Sequence, residues 1–495
     1  MIRSLHLLSL ALMAPALAEP APVWLCVGSA EFQKAAAPLA GYRRSQGLDV
    51  RTAGGPAPEA IAACQPRPAY ILLLGDEVRG DTPDGGASWR LPAARRPYHG
   101  WKDTHPAEFV SDMALGDLDG DGLPDASVGR IPARSAAEVT AAVEKILRWE
   151  KRHPALSDLT IPVWAGDPGF SGFFRNMALG FLTAQVREHA PLWAELWILQ
   201  GDERSPFCGW PAEQPALFNA RLGGGGLLSA MIGHGRPGGW WSMDLAGQKQ
   251  EYVTADAAQL TSGDPSPPHV IFACSTGRFC LAGGDCLTES LFRAPAGPVL
   301  CVGASEDSHP LTNYYHSTAL LSDLAAAGDR FGDLWLHSLR RAHATTEPDK
   351  ELLVHALEPV FLNKSLATAD LRADHALLYN IIGDPATRVF APAKLEAVLT
   401  EKDGSWRWSV AHPPRGARLL VQRRDILPDF TLGTAAPTRE EAVKRLTEAN
   451  AGLSFQTVKE LPAGAKWSGV TPGPGTLRLV AIGSDGLAVA AAVMP

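Results

Sequence analysis

The stretch Leu227-Leu228-Ser229-Ala230-Met231-Ile232-Gly233-His234-Gly235 and its later counterpart Val270-Ile271-Phe272-Ala273-Cys274-Ser275-Thr276-Gly277 follow one plan. Each is an apolar run short enough for a strand buried on both faces, and each ends in one reactive side chain followed by small residues. In parallel α/β sheets, ligands bind beyond the carboxyl ends of strands, where side chains from neighbouring strands emerge together. A thiolate there attacks a carbonyl, and an imidazole carries protons to the leaving amine. Small neighbours such as Gly235 let the backbone approach closely and offer amide donors to an oxyanion. Taken singly, the two residues read as a core histidine and a buried structural cysteine.

The flanking sequence continues the alternation of strand and helix. Upstream, Val23–Val27, Leu48–Thr52 and Ala69–Leu74 read as strands, with helices over Glu31–Gln46 and Pro58–Cys64 and a loop-rich stretch from Asp76 to Pro106. Ala126–Pro132 reads as the next strand. It leads into a helix whose start carries the capping-box pair Ser135 and Glu138, whose stripe is Val139, Val143, Ile146 and Leu147, and which Pro154 ends. Thr160–Ala165 and Leu192–Leu199 then read as strands, and Phe173–His189 and Pro215–Leu222 as helices, before a last buried-strand candidate at Val299–Val302. This pattern predicts an α/β fold with a mainly parallel sheet in two βα halves dividing near Pro154. From Ala393 onward, strand-like runs at Lys394–Leu399, Ser405–Val410, Arg418–Arg423, Gly475–Ile482 and Leu487–Val493 share the sequence with one helix, Thr438–Asn450. That predicts a β-sandwich of about 100 residues, the size of an immunoglobulin-like module.

Composition narrows the function classes. The 495 residues carry 45 Lys+Arg against 53 Asp+Glu, a net charge of −8, with no basic block. A nucleic-acid partner or a polybasic membrane patch is therefore not expected. Glycine (48) and proline (40) are abundant but follow no repeat, which excludes collagen and points to many turns. Arg3, the apolar run Leu5–Leu17 and the small-residue site Ala16-Leu17-Ala18 read as a signal peptide over residues 1–18. The run is too short to span a bilayer, so no transmembrane segment is expected, and the chain is assigned to a secreted, periplasmic or cell-surface location. Export permits disulfides among Cys26, Cys64, Cys208, Cys274, Cys280, Cys286 and Cys301, where six could pair and one would remain. Cys280 and Cys286 could bridge each other or Cys208, whereas Cys301 reads as buried; several of the seven also read simply as small apolar residues.

The strand ends MIGHG (231–235) and IFACSTG (271–277) give the chain a resemblance to the gingipain-type cysteine peptidases of the caspase-like clan. LLLGD (72–76), DASVGRIPARSAAE (125–138), ESLFRAPAGPVLCVGAS (289–305) and YNIIGDPATRV (379–389) match in the same order, so the resemblance covers about residues 22–392. It implies Cys274 as nucleophile, His234 as general acid/base, and the amides of Gly235 and Cys274 as the oxyanion hole. It also implies a carboxylate after the strand that opens the second half, which here is Asp167; as a residue of Asp167-Pro168-Gly169 this also reads as a plain turn residue. The acid that gives some gingipains arginine preference has no counterpart in Phe170–Asn176, so that specificity is not carried over. Ser305 and Glu306, on the wall beyond the next strand, and Trp240 and Trp241, soon after His234, are the candidate substrate-binding residues; either tryptophan also reads as core.

No cofactor is expected for catalysis. The turn Asp117-Leu118-Asp119-Gly120-Asp121-Gly122-Leu123-Pro124-Asp125 sets oxygens at alternate positions, as Ca2+ loops do, although Val128 stands where a full EF-hand loop has Glu. Structural Ca2+ on Asp117, Asp119, Asp121 and Asp125 competes with a plain Asp/Gly turn. The expected organisation is a signal at 1–18, an N-terminal α/β subdomain at 19–154, a caspase-like catalytic subdomain at 155–392 and an immunoglobulin-like sandwich at 393–495. The expected activity is hydrolysis of protein or peptide substrates. A sortase-like transpeptidase on the same residues and a non-catalytic surface-binding protein on a peptidase scaffold are the alternatives.

Overall fold

The computed structural model describes residues 20–77, 89–169, 184–186, 188–245, 247–324, 328–349, 351–352, 367–426, 431–484 and 486–494. The expected signal segment, most of the helix expected over Phe173–His189 and the Phe170–Asn176 stretch lie outside these residues.

Among the described residues, fifteen strands precede the C-terminal region. They are β1 (Val23–Val27), β2 (Asp49–Ala53), β3 (Tyr70–Leu74), β4 (Ala94–Pro97), β5 (Glu108–Ser111), β6 (Ser127–Ile131), β7 (Thr160–Ala165) and β8 (Glu195–Gln200). β9 (Ser229–Ile232), β10 (His234–Arg236), β11 (Gly239–Leu245), β12 (Gln248–Val253), β13 (His269–Phe272), β14 (Cys301–Ala304) and β15 (Tyr379–Ile382) follow. Ten of them form one sheet in the order β2-β1-β3-β6-β15-β14-β13-β9-β7-β8. The two expected halves therefore share a single sheet. Every pairing in it is parallel except β14 with β15. The five strands from β2 to β15 thus point one way and the five from β14 to β8 point the other. The carboxyl ends of β7, β9, β13 and β14 consequently share one edge with the amino ends of β6 and β15.

The apolar runs fold as strands because both their faces are covered. Along β1 and β3 alternate side chains enter two different cores: Trp24, Cys26, Tyr70 and Leu72 on one face, Val23, Leu25, Ile71 and Leu73 on the other. The helix expected over Glu31–Gln46 is two helices, Ala30–Ala35 and Ala37–Ser45. Pro38 lacks an N–H and fits only the first turn of the second one. In the helix Ala136–Glu150, Ser135 Oγ accepts from Glu138 N at 3.3 Å, but the Glu138 carboxylate reaches Arg134 N (3.0 Å) and Arg293 (2.9 Å) rather than closing the reciprocal box. Beyond β15, Asp384 accepts from Trp24 Nε1 at 3.0 Å and pairs with buried Arg43 at 2.7 Å, which in turn holds Glu150 at 2.7 Å. This ties the end of the α/β region to its start.

The C-terminal region contributes β16 (Ala393–Lys394), β17 (Ala397–Lys402), β18 (Ser405–Val410), β19 (Arg418–Arg424), β20 (Gln456–Leu461), β21 (Ser468–Pro472), β22 (Gly475–Gly483) and β23 (Gly486–Met494). They form a five-stranded sheet, β16-β23-β22-β19-β20, and a three-stranded one, β17-β18-β21. Trp406, Trp408 and Val410 of β18 share one core with Leu419, Val421, Leu477 and Leu479 of the other sheet. β20 and β21 lack an apolar run and were not anticipated. The helix Arg439–Ala451, capped by Thr438, covers β8, the outermost strand of the large sheet. Asn450 accepts from Ile198 N (2.8 Å) and donates to Ile198 O (3.0 Å), so one side-chain amide does for this edge what a further strand would do. Arg478 donates to Trp193 O at 2.6 Å and pairs with Glu195 at 2.9 Å across the same junction.

Candidate active site

β9 ends at Ile232, Gly233 N donates to Phe272 O of β13 at 3.2 Å, and the chain then leaves the large sheet as β10. β10, β11 and β12 form a separate three-stranded antiparallel sheet that carries His234 at its start. A bulge between Trp241 and Met243 turns the Ser242 carbonyl out of the ladder, where it accepts from Asp167 N at 2.9 Å. The two elements meet so closely that a Cβ on Gly201 would lie 1.7 Å from Ser242 O. The His-bearing hairpin is thus docked, through backbone, onto the ends of β7 and β8.

Cys274 lies two residues beyond β13 and is half-buried. The next residue, Ser275, has φ +57, a left-handed conformation uncommon for a side-chain-bearing residue, and it turns the chain back over the sheet. Among the described residues the Cys274 amide donates to no acceptor, which leaves it free for an oxyanion. Gly235 packs directly on this turn: a Cβ there would lie 2.5 Å from Cys274 O and 2.6 Å from Thr276 Cγ2. The strand carrying His234 and the loop carrying Cys274 are therefore neighbours at the backbone. The Cys274 thiol donates to Ser308 O at 3.5 Å. Burial, with the Asp307 carboxylate second, pushes it up to about 12.

His234 is exposed, and its Nε2 lies 3.0 Å from Pro168 O. A carbonyl only accepts, so Nε2 carries a proton, and in the neutral ring this leaves the lone pair on Nδ1. The imidazole also lies against Trp241, ring centroids 5.1 Å apart, and Lys249 Nζ sits 3.9 Å from the Trp241 ring. Asp167 is buried and its Oδ1 accepts from Gly169 N at 2.7 Å. Its carboxylate thus ties the turn that presents Pro168 O to His234. Trp240 is fully buried against Trp164, at 4.8 Å, while Trp241 is half-buried.

The wall beyond β14 is occupied from within. Ser305 is buried and donates to Val110 O at 2.6 Å, and Glu306 pairs with Arg278. Sequence reasoning missed the partner of the next residue, the loop between β4 and β5. Tyr98 OH donates to Asp307 O at 2.5 Å, Lys102 Nζ reaches Asp307 Oδ2 at 3.0 Å, and His105 Nε2 reaches the same oxygen at 3.2 Å. Ser275 Oγ donates to Asp307 Oδ1 at 2.9 Å. His105 Nδ1 accepts from the amides of Trp101 (3.1 Å) and Lys102 (3.2 Å), so this ring is the neutral Nε2–H form, and burial lowers its affinity for a second proton. Burial opposes the Asp307 charge, but Lys102, Ser275 and His105 hold the carboxyl below its usual range. The run Tyr98-His99-Gly100-Trp101-Lys102 is aromatic and basic within a loop, the one signal that could have marked it.

In the acidic turn, ligand oxygens of Asp117, Asp119 and Asp125 lie within 4.8 Å of one another, while the Asp121 carboxylate accepts from Leu123 N at 2.8 Å. Asp117 also accepts from Gly120 N (2.9 Å) and faces Arg96 (3.2 Å). The disulfides that export would permit are not formed: all seven cysteines are free thiols, five of them buried. No helix among the described residues is long and apolar enough to cross a membrane.

Comparison with known proteins agrees with this geometry. The chain is similar in fold to the Arg-specific cysteine proteinase gingipain R (RGPB), at 13% identity and a TM-score of 0.54, covering 97% of this chain and 100% of that one. It is similar also to the complex of Porphyromonas gingivalis RgpB pro- and mature domains, at 13% identity and a TM-score of 0.52, covering 96% and 100%. No curated protein sequence matches. The profile of Peptidase family C25 matches residues 18–390, three quarters of the chain, and the protein therefore belongs to Peptidase family C25 and is a cysteine-type peptidase.

Proposed function

We propose that the protein is an exported endopeptidase that hydrolyses peptide bonds through a Cys274 acyl-enzyme. The observation that carries this reading is the seating of Gly235 on the Cys274 turn, which brings the His234 strand against the nucleophile loop. Because burial keeps the thiol protonated at neutral pH, its proton leaves as attack proceeds, toward the lone pair on His234 Nδ1. The resulting imidazolium gives the proton to the leaving amine. The amides of Cys274 and Gly235 take the oxyanion, and water then releases the acyl group with His234 acting as base. Asp167 is a positioning residue in this scheme, acting through Pro168 O.

Residues 1–18 direct export, 19–154 and 155–392 are the two halves of the catalytic unit, and 393–495 form an immunoglobulin-like module. Trp241 lines the substrate cleft beside His234. Both acids beyond β14 are matched by cations, Glu306 by Arg278 and Asp307 by Lys102, so this wall supplies no free carboxylate for an arginine or lysine side chain. Structural Ca2+ is assigned to Asp117, Asp119 and Asp125, whose oxygens suit a hard cation. Melting with and without a chelator tests the metal, and an unchanged curve removes it.

A diverse peptide library, with Cys274→Ala as control, tests the activity. Cleavage by the wild type and none by the variant is the expected result. Products joined to an added amine in preference to water would favour transpeptidation. No turnover of any peptide, with an unlabelled Cys274, would overturn the reading.

A further inference from the structure

We propose that Lys102 is a positioning residue for the nucleophile: its ion pair with Asp307 cancels a negative charge held beside Cys274 and so keeps the Cys274 thiolate attainable. The inference rests on the cysteine-peptidase chemistry assigned to Cys274. Residues 307–308 touch the nucleophile turn twice. Asp307 Oδ1 accepts from Ser275 Oγ at 2.9 Å, and Ser308 O accepts from the Cys274 thiol at 3.5 Å. The segment that fixes the turn therefore brings a carboxylate to its side, and like charge opposes ionisation of a thiol.

The structure supplies one full counter-charge. Lys102 Nζ lies 3.0 Å from Asp307 Oδ2 and 4.3 Å from the centroid of the Trp101 ring, which restricts where the ammonium can go. His105 shares that carboxylate oxygen but is neutral, its Nδ1 being held by two backbone amides. The other charged groups around Asp307 have partners of their own: Arg278 pairs with Glu306 in the same wall, and the Asp374 carboxyl of the helix Thr368–Leu378, which burial pushes up, lies 2.7 Å from His99 Nδ1. Tyr98 and Tyr379, which also border the thiol, are hydroxyls that burial keeps protonated. Burial and Asp307 raise the thiol, while the Ser308 backbone and Lys102 lower it. Lys102 is not needed to hold its loop, since Tyr98 to Asp307 O and His105 to Asp307 Oδ2 remain without it.

The test measures the rate of iodoacetamide labelling at Cys274, read by peptide mapping at fixed pH between 7 and 9, with half-buried Cys280 as the internal reference thiol. Lys102→Met leaves Asp307 uncompensated and should raise the thiol. A more basic thiolate is also a better nucleophile, so labelling should slow by about three- to tenfold. Lys102→Arg keeps the charge and should stay within about twofold of wild type. Lys102→Met/Asp307→Asn removes both charges and should return to within about twofold as well. Asp307→Asn alone, which still accepts from Ser275, leaves Lys102 unpaired and should label faster; it carries the test if Lys102→Met does not fold. Unchanged labelling in Lys102→Met, a double variant as slow as Lys102→Met, or unchanged labelling in Asp307→Asn overturns the proposal. Because labelling needs no peptide substrate, absent turnover of the library peptides leaves this result standing as long as Cys274 still labels at these relative rates.

Discussion

Gly201→Ala tests whether backbone docking of the hairpin sets the catalytic geometry. Gly201 touches neither Cys274 nor the cleft; it lies behind β11, where an added Cβ would fall 1.7 Å from Ser242 O and 2.9 Å from Asp167 N. Relieving that overlap requires the hairpin to move by more than 1 Å, since contacts below about 3 Å are essentially never made, and the move breaks the 2.9 Å bond between Asp167 N and Ser242 O. Both consequences converge on His234, whose strand begins the hairpin and whose Nε2 rests on Pro168 O. A misplacement of about 1 Å at a catalytic group costs on the order of a hundredfold in rate, about 2.7 kcal/mol of transition-state stabilisation. Overpacking itself costs about 1–3 kcal/mol of stability. The expected result is kcat/KM down about a hundredfold on the best library peptide, a melting temperature lower by several degrees, and iodoacetamide labelling of Cys274 within threefold of wild type. Gly41→Ala is the control: its Cβ meets nothing within 4 Å, and the site lies inside the helix Ala37–Ser45, where alanine is favoured. A folded Gly201→Ala enzyme with kcat/KM within threefold of wild type would refute the docking argument, as would loss of Cys274 labelling in step with activity.

Asp167 gives a second test: its carboxylate accepts from Gly169 N, which an amide oxygen can also do, while its charge also acts on Arg204. Asp167→Asn should keep activity within about threefold while Asp167→Ala loses about ten- to a hundredfold; equal losses in the two would show that the charge is needed. In the native protein a thiol alkylator should reach Cys274 and Cys280 but not the five buried cysteines, and mass mapping before and after denaturation reads this directly. Stability should fall as pH drops below about 6.5. Burial lowers both His269 and His375 to about 3, so the unfolded chain binds protons first as the pH falls and the folded state loses about 1.4 kcal/mol per pH unit for each residue. Melting curves between pH 7 and 4 should show that slope and a shallower one in His375→Gln, and a flat wild-type profile would contradict it.

The parts of the site that could be read from sequence are those whose signal is local. An apolar run needs burial on both faces, so β1, β3, β7, β9 and β13 announced themselves, and with them the strand ends bearing His234 and Cys274. Pro38 equally had a local meaning, a helix start, that the apolar pattern around it concealed. What could not be read depends on residues far apart in the chain. The Lys102–Asp307 pair joins positions 205 residues apart, and nothing near either one names the other. The bulge at Ser242 is legible only from the Asp167 amide it serves. β20, with the sequence Gln-Thr-Val-Lys-Glu-Leu, is a largely exposed edge strand and needs no apolar face, which is why no periodicity marks it. The acidic turn shows the same limit: four aspartates stand at suggestive spacing and all four accept from amides of the turn itself, but only Asp117, Asp119 and Asp125 bring oxygens close to one another.

β15 has a consequence for the life history of the molecule. Synthesis delivers the chain from its amino end, so His234 and Cys274 emerge while the slot between β6 and β14 is still empty. Until residues 379–382 arrive to fill it, the sheet is two separate pieces, each presenting a raw strand edge that invites pairing with another chain. Asp384, just beyond, then latches onto Arg43 and Trp24 at the start of the α/β region. A nascent or truncated chain thus holds Asp167, His234 and Cys274 without the platform that aligns them, and the candidate site is completed only when the α/β unit is.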